Sequence, residues 1–143
     1  LKGAVCGLWV ATFIDICVND FRFRRIDLYS IGSLALFGLL MDGGADIPQK
    51  LAQGLGLSAV LYLASFVAER ACGKEVFGLG DVLLLGAVGA SAAGSSTSLS
   101  AACLVLLAEC SVTLAVLKIR KSDTALPFAP LALLPSLAFV LAA

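Results

Sequence analysis

Six long apolar stretches, separated by short polar connections, constrain this chain more than any other feature. They run from Leu1 to Val18, Ile26 to Met41, Leu51 to Ala68, roughly Phe77 to Ala93, Leu99 to Leu117, and Ala125 to Ala143. A water-soluble fold must keep polar side chains on the outer face of every element, and these stretches have almost none to offer. Of the 143 residues, 60% are hydrophobic and only 14% are charged, and the mean hydropathy is +1.03. Lipid must therefore be the solvent for the outer faces, and helices are the spanning element that satisfies its own backbone. The expected fold is an all-α polytopic membrane protein of about six transmembrane helices, a single domain over residues 1–143.

Orientation follows from the basic residues, because connections that stay in the cytosol retain positive charge. The odd-numbered connections carry Arg22, Arg24 and Arg25, then Arg70 and Lys74, then Lys118, Arg120 and Lys121, which is eight of the ten Lys and Arg residues. Only Lys2 and Lys50 fall on the even side. Six spans with the odd connections inside place both termini outside. The chain begins at Leu1 rather than Met, which leaves room for an upstream part. The first stretch ends in Asn19, Asp20 and the arginines instead of a small-residue cleavage site, so no cleavable signal peptide is expected there.

Several chemistries are excluded early. The net charge is zero, so no basic surface argues for nucleic acid. Histidine is absent, which removes Ser-His-Asp and Cys-His catalysis and any His-ligated metal. Cys6, Cys17, Cys72, Cys103 and Cys110 form no C-x-x-C pair and lie mostly in apolar stretches. They read as small buried hydrophobes, and neither a disulfide framework nor a zinc site is expected.

Ionisable groups at membrane depth are expensive, so each is a candidate for function. Asp15, Asp20, Asp81 and Glu109 qualify. The topology puts Asp20, at the end of the first span, and Asp81, at the start of the fourth, at similar depth on the cytosolic edge. Two carboxyls brought together share a proton: the charged one serves as general base on a water, and the protonated one polarises a carbonyl. Gly78 and Gly80, just before Asp81, allow another chain to approach the backbone closely, as an extended substrate beside a carboxylate would. A plain N-terminal cap is the competing reading of Asp81. Asp15 is the rival of Asp20. Five helical residues turn through about 500°, some 140° net, so the two cannot face one partner from an unbroken helix. A hydrogen bond to another helix is the expected role of Asp15, and Glu109 is assigned no catalytic part. The arginines read as a topology anchor in contact with lipid headgroups.

Three landmarks together resemble the type IV prepilin peptidases and the related preflagellin peptidases. They are Asp20-Phe21-Arg22-Phe23-Arg24-Arg25-Ile26, Gly78-Leu79-Gly80-Asp81-Val82-Leu83-Leu84, and Leu126-Pro127-Phe128-Ala129-Pro130-Leu131. The resemblance selects Asp20 over Asp15. Asp27-Leu28 stands where the family has proline and a polar residue, and Ala129 where glycine is usual.

What the resemblance implies is a membrane aspartic endopeptidase of the Gly-x-Gly-Asp kind, using Asp20 and Asp81, with Gly78 and Gly80 shaping the substrate groove and no metal or cofactor. Its substrate would be a prepilin-like precursor with a basic leader and a hydrophobic helix, cut at the cytosolic face of the inner membrane. Because the paired C-x-x-C motifs of bifunctional members are missing here, no methyltransferase activity is expected. Two other classes share the buried acids: a small proton- or ion-coupled transporter, and a catalytically silent pilus or secretion assembly factor. Relay acids would spread through the membrane depth, whereas Asp20 and Asp81 cluster at one face.

Overall fold

The computed structural model describes residues 2–41, 43–44, 46–72 and 78–92, with 129, 130, 132 and 136. These residues form four helices: α1 (Lys2–Phe23), α2 (Leu28–Leu40), α3 (Ile47–Cys72) and α4 (Leu79–Ala92). All four coincide with expected apolar stretches, and each end has a local cause. Arg24 adopts φ 54° and returns its amide to the Asp20 carbonyl at 2.9 Å. That left-handed residue closes α1 without the proline that the family resemblance leads one to expect. Asp27, in extended backbone, precedes α2, and its carbonyl accepts the Ile31 amide at 3.2 Å. Gly78 opens α4, its carbonyl accepting the amides of Asp81 and Val82 at 3.1 and 3.3 Å. The fifth stretch lies outside the described residues. So does the sixth, except that Ala129, Pro130, Ala132 and Ser136 are helical.

Two helices, Lys2–Phe23 and Ile47–Val67, are long and apolar enough to cross a membrane, while α2 and α4 are apolar but shorter. Only 28% of the apolar span of each long helix is buried. A core helix of a soluble protein would be mostly covered. Here Leu55, Val60, Leu63 and Val67 of α3, and Leu8 and Ile14 of α1, remain about half exposed or more, a pattern suited to lipid rather than water.

The centre of the bundle is α4, whose residues Leu84 to Ser91 are all buried. It packs on α2 and α3, and α1 packs on α2. Small residues let α3 and α4 meet backbone to backbone: a methyl group at Gly54 would stand 2.8 Å from the Gly86 carbonyl oxygen and 2.8 Å from the Ala90 methyl. Across the bundle, Trp9 and Phe13 of α1 stack at 5.4 Å. With Ile16, Leu34, Leu84 and Ala129 they form part of the main apolar cluster.

The Trp9 indole N–H donates to the Ser91 hydroxyl at 2.9 Å, which in turn donates to the Ala87 carbonyl at 2.8 Å. Lys50, expected in an outer connection, is instead inside α3 and fully buried. Its ammonium lies 3.4 Å from the Gly38 carbonyl.

Candidate active site

Asp20 lies within α1, one turn before the Arg24 turn, and is only 6% exposed. Its Oδ2 accepts the backbone amide of Ala129 at 2.9 Å. A helical segment leaves its first amides without internal partners, and a carboxylate is a favourable acceptor for them. The first and third sequence landmarks, 109 residues apart, are joined by this bond. Ala129 is fully buried, so only a small residue lets the amide come this close. Alanine in place of the usual glycine leaves that donor intact.

Asp81 is the third residue of α4, and its Oδ2 accepts the Gly78 amide at 3.0 Å. Together with the Asp81 amide bonded to the Gly78 carbonyl, this is the acidic half of a capping box. Asp81 thus helps cap α4 from its third position, with Gly78 rather than Asp81 itself at the N-cap. The bond to Gly78 holds the side-chain rotamer.

The glycines contribute differently. A methyl group on Gly80 would come within 3.2 Å of the Ile26 Cβ, so the bare face of Gly80 receives the α1–α2 connection. At Gly78 the nearest neighbour of such a methyl is the Asp81 carboxylate itself, at 3.5 Å.

The two aspartates lie at one end of the bundle. The bond between Trp9 and Ser91 ties the middle of α1 to the far end of α4. From it, eleven residues along α1 to Asp20 rise about 16 Å and ten along α4 to Asp81 about 15 Å. Ile26, six residues beyond Asp20, rests on Gly80, one residue before Asp81.

Asp15 behaves otherwise than expected. It is exposed and accepts the Asn19 side-chain amide at 3.2 Å within its own helix, not from a neighbouring one. Glu109 lies outside the described residues. Among the described residues, no group of three or more His, Cys, Asp or Glu could hold a metal ion, and Cys6 and Cys17 are free thiols.

The family model described as the type IV leader peptidase family matches residues 5–119. The chain belongs to the type IV leader peptidase family. Both aspartates of this leader peptidase, and Gly78 and Gly80, fall inside the matched residues; the Ala129 amide falls beyond them. No curated protein and no solved structure matches the chain.

The proline-rich landmark was legible in this leader peptidase's sequence, but its contact with Asp20 was not. The available signal was a small residue flanked by Pro127 and Pro130, whose missing amides leave few donors in that segment.

Proposed function

We propose that residues 1–143 form the peptidase domain of a six-span membrane aspartic endopeptidase, with both termini outside and the active site at the cytosolic face of the inner membrane. Asp20 and Asp81 act as its catalytic pair. The buried Asp20 carboxylate held by the Ala129 amide carries this reading. A carboxylate is taken out of water at membrane depth only at a cost, and here its orientation is fixed by a backbone donor brought from the far end of the chain. Asp81 at the same bundle end, with its rotamer set by Gly78, supplies the second group.

The chemistry is a general acid–base hydrolysis. Sharing one proton, the ionised aspartate removes a proton from water, whose oxygen attacks the scissile carbonyl carbon. The protonated partner donates to the carbonyl oxygen and stabilises the tetrahedral adduct. Collapse of the adduct breaks the C–N bond, and the proton taken from water passes to the leaving amine. Nothing in this cycle calls for a metal, an organic cofactor or methyl transfer.

The substrate is a prepilin-like precursor: its basic leader waits at the cytosolic surface while its hydrophobic helix stays in lipid. Its scissile segment is extended along the Gly78–Gly80 backbone, on the side away from Ile26, which occupies the bare face of Gly80. Asp20→Ala and Asp81→Ala should each abolish leader cleavage in a membrane assay, with the protein still inserted. Normal processing by the Asp20 variant would discard the assignment.

A further inference from the structure

A shallow groove of about 400 Å³ runs along α1 beside Asp20, lined by Ile14, Cys17, Val18, Phe21, Arg22 and Pro130. The first four are spaced three, one and three residues apart, a single stripe on one helix face. We propose that this groove seats the apolar helix of the substrate, the part that follows the scissile bond. The proposal rests on the peptidase reading and adds to it the surface that selects the substrate.

Continuity with the segment that supports Asp20 identifies the occupant. Asp20 itself lies about 120° round α1 from Ile14, on the neighbouring buried face, but Pro130, which lines the groove, follows the residue whose amide holds Asp20. A helix seated in the groove therefore has one end against the segment that fixes the carboxylate. The lining dictates the occupant's form. Apart from Arg22 its side chains are apolar or a thiol, and Pro130 has no amide to donate. An extended backbone there would leave its own amides and carbonyls unpaired at membrane depth, whereas a helix pairs them internally.

Arg22 sets the direction. It is exposed, with its guanidinium carbon 6.0 Å from the Phe23 ring centre, and it belongs to the cluster with Arg24 and Arg25. A cation at the groove's end disfavours entry of a basic leader while admitting an apolar segment. In lipid, apolar surface gives little drive to associate, so shape fit along the stripe supplies the selection.

Ile14 and Val18 are 48% and 47% exposed, so bulk added there fills the groove and spares the core. The test is cleavage kinetics of a precursor with a basic leader and an apolar helix, using full-length enzyme in vesicles of two compositions, one of zwitterionic phospholipid alone and one with anionic phospholipid added. Ile14→Trp and Val18→Trp should raise KM about tenfold or more with kcat held within about threefold, the signature of lost binding common to ground and transition states. Leu8→Trp, on the same helix outside the groove, should leave both unchanged. In parallel, a photoreactive group in the precursor's apolar helix should attach to the Ile14–Phe21 stretch, whether or not cleavage proceeds.

Unchanged KM in both groove variants, or attachment elsewhere, overturns the proposal while leaving the peptidase intact. So does a variant effect seen only as altered dependence of kcat on phospholipid composition, which would make the groove a lipid seat. A wild-type enzyme that cross-links the precursor here yet never cleaves it would instead defeat the peptidase reading.

Discussion

Asp20 is a carboxylate with almost no access to solvent, and two backbone features hold it. Arg24, at φ 54°, ends the helix one turn later, and Ala129 donates an amide to Oδ2. A hydrogen bond to a charged acceptor is worth roughly 1.5–3 kcal/mol. Removing the donor by Ala129→Pro should therefore lower kcat about 10- to 100-fold at 1.4 kcal/mol per decade, whereas Ala129→Gly, which keeps the N–H, should retain most activity. Measuring both variants in membranes separates the donor from the side chain; equal loss in both would show that packing of the methyl group, not the amide, is what matters. The aspartates were legible as residues because acids are rare in and beside such apolar stretches. Their hydrogen-bond partners were not, because a backbone amide leaves no mark in the sequence.

At the scale of elements, the helices pack by close approach. Lipid offers no hydrophobic penalty that would drive α3 onto α4, so the contact depends on dispersion between backbones. Gly54 touches α4 through its missing side chain: a methyl there would meet backbone oxygen at 2.8 Å, while one at Gly56 meets nothing within 4 Å. Gly54→Ala should destabilise by about 1–3 kcal/mol through overpacking. Gly56→Ala should stabilise by up to about 1 kcal/mol through helix propensity. Thermal unfolding in detergent distinguishes them, and a pair of identical melting temperatures would mean that α3 and α4 do not meet along Gly54. Apolar stretches placed the four described helices to within about five residues, since length and hydropathy are local properties. They could not say which glycines touch. Nor did they foresee that the bare face of Gly80 takes up Ile26, joining the link after Asp20 to the start of Asp81's helix.

For the molecule as a whole, function depends on which compartment the aspartates face. Arg22, Arg24 and Arg25 follow Asp20 directly and are exposed, whereas Lys50 is buried inside α3 and so contributes no charge to an outer loop. On the topology we propose, the cations are thereby biased toward the cytosolic side more strongly than their bare count gives. In a chain freed of its native cysteines, Gly3→Cys and Gln49→Cys should react with an impermeant thiol reagent added outside intact cells. Arg24→Cys should react only after permeabilisation. Reversed labelling would put the catalytic pair on the wrong side for a cytosolic leader.

The sequence by itself determined that the described helices fall in apolar stretches suited to lipid and which acids interrupt or border those stretches. Each of these follows from hydropathy and charge over neighbouring residues. Only the tertiary structure decided that the Ala129 amide meets Asp20, that Ile26 fills the space beside Gly80, and that Asp15 bonds within its own helix. Those outcomes depend on how helices rotate and approach one another, which is a property of packing among residues up to 109 apart in the chain.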